Sequence, residues 1–455
     1  MSVKSLLEPI TDKGIKNTHY FEGRLLSARD LREQEQANQR HRRNLAMLAG
    51  SGIHSGLTVD VEDAGDASNS PVVRVTGGKA VNLEGDVLEL AADYVDLQLS
   101  RILQPPDPDA TGFRDCSVEI SETLAPSGAG LYVLLMSPSS KYEGYALKSG
   151  LQNRGIAHNC ARAYVVEGIQ FRLVQFDPLA MPDVSEATKA LLEDVYLDTS
   201  NPVAPTDYQN LSKLQNIIAH ICYGTEASKL SQTSAFETVA NPLKGFDALL
   251  GKDFGLENCD IPLAMIYWTF DGIGFVDNWA VKRKIHPYKE LHTQLPFNEN
   301  RSHVMYEAML FQFQDQIENL LLNNLNVSEL TALSAVDYFH YLPPAGVLPQ
   351  YNIDHVGFTH HHFFEHQRHK PPLYISEKQA QDVIYQSASF APIATATEKL
   401  VWLYKTWERD FLETQGTFSK PHIIFTSGYA PYFATPRFDL SHWDYSNYIS
   451  NLLGP

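Results

Sequence analysis

Six of the chain's 17 histidines fall in one short stretch: His355, His360, His361, His362, His366 and His369. Neutral imidazoles are the commonest transition-metal ligands. In an extended segment His360 and His362 point to the same side and could chelate one ion. Three copies around an axis would then offer six nitrogens. In a helix, His362 and His366 fall four apart on one face, with Glu365 between them. His362-Phe-Phe-Glu-His366 has the HxxEH spacing of inverted zinc peptidases, so a zinc-dependent hydrolase is one reading. Glu377 is the nearby downstream acid that could serve as its third ligand. The plainer reading is a solvated or interface cluster without metal, flanked by Phe358, Phe363 and Phe364. We place that reading first, a structural metal at His360, His362 and His366 second, and a hydrolytic site last.

Other catalytic signatures are missing. Gly144–Gly150 and Gly428 form no phosphate loop, and no GxGxxG follows a strand. Ser51-Gly-Ile-His-Ser-Gly56 lacks the G-x-S-x-G of a nucleophile elbow. Trp402, Trp407 and Trp443 leave a glycan-stacking surface open. The expectation is a protein that is not an enzyme and needs no cofactor.

The elements that position these residues change character along the chain. Ser27 with Asp30 three positions on is a capping-box-like start, and a helix is expected from about Ala28 to Leu48. Its interior, Glu33 to Arg43, is polar on nearly every side, so it cannot bury a wide apolar face in its own domain. After Gly50–Gly56 the hydrophobic period becomes two. Strands are expected at Leu57–Val61, Val72–Val75, Val87–Leu90 and Val95–Leu99, with turns at Gly77-Gly78 and Glu84-Gly85-Asp86. Further strands fit Leu131–Met136, Ala163–Val166, Ile169–Phe176, Ile261–Phe270 and Phe275–Val281. Helices at Ser185–Asp194 and Tyr208–Tyr223 read as an insertion, about residues 180–255, into this β unit.

Arg301–Leu325 is the strongest helix. Its stripe, including Met305, Phe311, Ile317 and Leu321, is wide enough to pack on two sides. A trimeric neck and a helix buried inside one subunit fit it equally. Beyond residue 330, helices are expected at Ser376–Gln386, Ala394–Glu413 and Ser441–Leu453, with a strand at His422–Thr426. The fold class is therefore α+β and multidomain. Residues 1–295 form an antiparallel, β-sandwich-like shoulder with a helical insertion, 296–330 a helical neck, and 331–455 a small α+β head.

Bulk properties narrow the function. At 455 residues and 51.0 kDa the chain exceeds a single core. Its formal charge of -18 disfavours nucleic acid and anionic membranes as partners. Apolar runs such as Leu131–Met136 are far short of the roughly 20 residues that span a bilayer. The start of the chain lacks a signal-peptide pattern. Cys116, Cys160, Cys222 and Cys259 lie far apart, which suggests free thiols in a reducing compartment and a cytoplasmic protein.

His19-Tyr-Phe-Glu-Gly-Arg-Leu-Leu-Ser-Ala-Arg-Asp-Leu-Arg-Glu-Gln34, followed by Gly56-Leu-Thr-Val59 and Val73-Arg-Val-Thr-Gly-Gly-Lys-Ala80, resembles the opening of baseplate-associated proteins of contractile injection systems and phage-like tails. It is similar, more distantly, to the TssK family of type VI secretion baseplate adaptors. Pro262–Ile266 leading to Phe275-Val-Asp277, and Tyr338–Pro349, support the likeness. Together these motifs touch about a quarter of the chain. Departures are the missing Trp beside Gly50 and Gly52 and the helices of 180–255, which have no counterpart in the relatives. The resemblance implies a shoulder that docks on other baseplate or tail subunits, a neck that trimerises, and a head that meets a further partner. It implies docking by Tyr20, Phe21, Gly23, Leu25, Leu26, Asp30, Leu31 and Gln34. A receptor- or glycan-binding tail-fibre protein is the alternative.

Overall fold

The computed structural model describes residues 11, 14–66, 69–99, 110–111, 130–147, 160–181, 184–197, 202–226, 245–249, 255–285, 303–322, 326–351, 356–407 and 421–430. Among them the chain is mixed α and β, with several antiparallel sheets and eight α-helices. Helix α1 (Ala28–Ala49) starts at the expected capping box: the Ser27 hydroxyl accepts the Asp30 amide, and the Asp30 carboxylate accepts the Ser27 amide.

The first sheet contains β1 (Gly52–Gly56), β2 (Val59–Asp63), β3 (Val72–Val81) and β4 (Val87–Gln98). Strands β1 and β2 pair with opposite ends of β3, and β4 runs along its other edge. Gly77-Gly78 is not the expected turn but the interior of β3, beside a register shift against β4. The need for glycine is closeness. A Cβ on Gly77 would lie 2.1 Å from the Ala92 carbonyl oxygen, and one on Gly78 2.2 Å from that of Ser55.

The second sheet contains β5 (Ala110–Thr111), β6 (Gly130–Leu147), β7 (Cys160–Phe176), β8 (Ile261–Thr269) and β9 (Gly272–Asp277). β6 lies at its centre, paired with β7 on one edge and with β8 and β5 on the other. The two strands expected at 163–166 and 169–176 are one, β7. The period of two sorts β6 between two cores. Tyr132, Leu134 and Met136 pack with Val59, Val73, Val75, Leu88 and Leu90 of the first sheet. Leu131, Val133 and Leu135 pack with α3 (Tyr208–Cys222) and the N-terminal half of α4 (His303–Leu322). Burying each such side chain contributes roughly 1.5–3 kcal/mol before entropy is counted. Both α2 (Glu186–Leu191) and α3 lie in the chain between β7 and β8, the neighbours of β6.

The C-terminal elements are α5 (Val327–Ala332), α6 (Ala335–Tyr338), β10 (Tyr341–Leu342), β11 (Ala345–Pro349), α7 (His360–Phe363), β12 (Arg368–His369), β13 (Leu373–Tyr374), α8 (Glu377–Gln386), β14 (Ile393–Ala394), β15 (Leu400–Trp407) and β16 (Pro421–Thr426). Their main sheet runs β11-β16-β15-β12, with β13 also on β15. Of the helix expected over 394–413, the described part, 394–407, holds the end of β14 and the whole of β15 instead, and 408–413 lie outside the described residues. Leu400-Val-Trp-Leu-Tyr-Lys-Thr-Trp407 is rich in aromatic and β-branched residues, and pairing with β16 decides its form. The helix expected at 441–453 lies outside the described residues.

Polar groups pin the helices to the second sheet. The buried Asp277 carboxylate accepts the amides of Trp279 and Ala280 at 2.8 Å, Gln215 Nε2 at 3.0 Å and Gln312 Nε2 at 3.3 Å. The Trp279 indole donates to Asp315 on α4. Burial pushes the Asp315 carboxyl up to about 6. A folded-state pKa above the unfolded one means that stability falls as pH rises from about 4 through 6. Asp315→Asn keeps an acceptor for the indole. It is expected to flatten that slope and to gain on the parent by on the order of 1–2 kcal/mol above pH 7, read from urea titrations across pH.

No described helix is long and apolar enough to cross a membrane. Cys222 is a buried free thiol, and burial raises its pKa. Cys259 is disulfide-bonded, which corrects the expectation of four free thiols and removes the argument for a reducing compartment.

Candidate docking surface

Residues 16–34 form a hook folded back on the start of α1. The Thr18 amide donates to Gln34 Oε1 and the Thr18 hydroxyl to the Asp30 carbonyl, both at 3.0 Å. Arg24 reaches the Asp30 carboxylate and the His19 carbonyl. Lys16 and Arg29 both pair with Glu33, at 3.0 and 2.9 Å. Gly23 makes the tight turn between Phe21 and Arg24 at φ +81, with open space where a Cβ would stand, so conformation alone asks for glycine. Hydrogen bonds from Ser27, with Arg24 adding its charge, hold the Asp30 carboxyl down at about 2. The clasp therefore stays ionised at any physiological pH.

These polar contacts divide the motif in two. Gly23, Asp30 and Gln34 shape the hook. Tyr20, Phe21, Leu25, Leu26 and Leu31 are exposed on it, Leu25 at 93% and Leu31 at 57%. Along α1, Leu45, Met47 and Leu48 are exposed too, and only Ala37 is buried. The helix is fastened to the first sheet by Arg43, whose guanidinium grips Asp86 in two bonds of 2.6 and 2.9 Å. So many large apolar side chains exposed on one element make it a candidate interaction surface. Residues 16–43 also carry seven Lys or Arg against four Asp or Glu, on a chain of net charge -18. Asp30→Ala is expected to unfasten the hook and speed amide exchange over residues 18–31, with β3 and β6 unchanged.

The helix expected as a neck is buried by its own chain. Met305 belongs to the core with α3 and β6, and Ile317 to the C-terminal core. Phe311 is half-buried and stacks on Trp279 with ring centres 4.8 Å apart, and Leu321 packs half-buried against the C-terminal core. Of the two readings of this stripe, the helix within one subunit describes these positions. Met305 and Ile317 have no surface left for a second copy.

The histidines also fall differently. α7 ends at Phe363 and Phe364 leaves helical geometry, so His362 and His366 do not share a helical face. Because His360 to His362 are helical, the extended HxH pair is not formed either. His360 Nδ1 is bonded to the Gln350 amide at 3.0 Å, and His366 lies 3.5 Å from both Ser334 and Glu365. His360 instead neighbours His369, and burial with the charges of His369 and Lys405 lowers its pKa to about 4. Among the described residues no three His, Cys, Asp or Glu side chains are placed to share a metal ion. His355, Trp443 and the Trp407 side chain lie outside the described residues. Trp402 is half-buried against Tyr429, with Lys370 over its ring at 5.5 Å.

Comparison with protein-family models and with curated proteins gives no match to this chain. The sequence motif names these residues as docking residues without dividing them into those that brace the hook and those exposed on it. That division needs the fold-back at Gly23, which spacing alone does not reveal.

Proposed function

We propose that this chain is a non-catalytic structural subunit of a contractile injection system or phage-tail baseplate, docking on other tail subunits through the hook and α1. The observation that carries the reading is the braced hook. Its bonds fix the backbone before binding, so less entropy is lost when Leu25, Leu26, Leu31, Tyr20 and Phe21 enter a partner's groove. The basic excess on this element favours an acidic partner surface with an apolar centre.

In this reading the two sheets facing each other across the Tyr132 side of β6 are the sandwich-like shoulder of residues 1–295. α4 is a strut within 296–330, and residues 331–455 are the head that meets a further partner. The protein works without cofactor, nucleic acid or membrane insertion, as a part of the assembled particle. Deleting the gene in a producing cell tests the proposal. Electron micrographs should lose complete contractile particles, and intact particles in normal numbers would reject it.

A further inference from the structure

The outer part of the β6–β7 hairpin stands away from both cores. Pairing between β6 and β8 ends at Met136–Ile261, yet β6 and β7 stay paired out to Leu147–Cys160. Every side chain from Lys141 to Ala146 and from Tyr164 to Gly168 is exposed. Tyr142, Tyr145, Tyr164, Val165 and Val166 are the large apolar ones among them. Beyond Ser140 and Lys141, where β5 pairs, only β6 and β7 are paired among the described residues, and a two-stranded ribbon with both faces wet is marginal by itself, so this one asks for a partner.

Its outer edge says what kind. Among the described residues β7 pairs with β6 alone, and none of them meets the backbone of its other edge from Tyr164 to Gly168. Natural edge strands are blunted by lysine, proline or a bulge. Here Ala163-Tyr-Val-Val166 holds neither charge nor proline, and its pairing with β6 keeps one unbroken register. The arm's charges cancel: Lys141 and Arg162 against Glu143 and Glu167. On a chain of net charge -18, such a neutral arm is where two copies meet least repulsion.

We infer that β7 pairs with β7 of a second copy, antiparallel about a two-fold axis through Val165, joining the two hairpins edge to edge. That register sets Tyr164 opposite the other copy's Val166, twice, which is the aromatic–β-branched pair that stabilises antiparallel sheets. The contact is isologous, so it closes at two copies.

The test is the mass of the full chain by sedimentation and light scattering over a wide concentration range. The parent should rise from the 51.0 kDa of one chain towards twice that value. Val165→Lys should weaken association by about 100-fold, since an edge lysine blocks strand addition, with circular dichroism and melting unchanged. Val165→Cys should form a disulfide-linked dimer on mild oxidation, whereas Val87→Cys, exposed on β4, should not. A parent that stays monomeric, a dimer or trimer indifferent to Val165→Lys, or equal cross-linking at both cysteines would each overturn the inference.

Discussion

Phe313→Ala is expected to destabilise the protein by about 3–5 kcal/mol, the range for emptying a large aromatic site in a packed core. Phe313 is fully buried, with the rings of Phe339 and Phe425 each centred 5.3 Å away. The site is closed on the far side by Gly346, where a Cβ would lie 2.7 Å from the Phe313 ring and 2.5 Å from that of Phe425. One turn earlier, Met309 belongs to the other core with α3 and β6. α4 is thus shared by two cores, and the loss should spread. Denaturant unfolding gives the total, and amide exchange apportions it: β11, β15 and β16 should open first, β6 and β8 less. A loss below about 1 kcal/mol would mean that α4 is not seated where Phe313 places it.

The shared helix explains one limit of reading this sequence. A stripe wide enough for two contacts says that two surfaces cover a helix, not whose they are. Met309 and Phe313 meet different cores of one chain, and the same pattern would serve a three-fold seam. The Gly77-Gly78 pair misleads for a related reason. Glycine marks a turn when φ requires it, but here it marks three backbones packed too closely for any Cβ, and only the paired strands reveal that. The segment at 394–413 fails on propensity: Leu400–Trp407 suits a helix or a strand, and the waiting edge of β16 chooses.

Other features were legible because their cause is local. The α1 start rests on Ser27 and Asp30, three residues apart. The α3 stripe and the alternation in β3 and β6 follow from period alone. The histidine cluster is the opposite case. Its spacing admits both a strand pair and a helix pair, and the backbone adopts neither, because α7 is a single turn that ends at Phe363. The core aromatics Phe358, Phe363 and Phe364 set that turn, and the imidazoles take the positions left over.

Leu25→Asp with Leu31→Asp is the substitution pair with the largest expected effect on function. Both leucines are exposed, so neither change removes core packing, and stability should stay within about 0.5 kcal/mol. In a docked complex the same carboxylates would be carried into an apolar groove without a partner, a penalty of several kcal/mol. Partner affinity should therefore fall by 100-fold or more, about 2.7 kcal/mol or greater. The measurement is particle assembly by electron microscopy in cells carrying the double variant, beside its melting curve. Loss of assembled particles with an unchanged melt is the expected result. Leu45→Asp, at the far end of α1, separates two versions of the surface. If it is as damaging, the partner lies along the whole helix, and if it is silent, the hook alone docks. Normal assembly by the double variant would leave the hook without a role in docking, however well Arg24, Asp30 and Gln34 brace it.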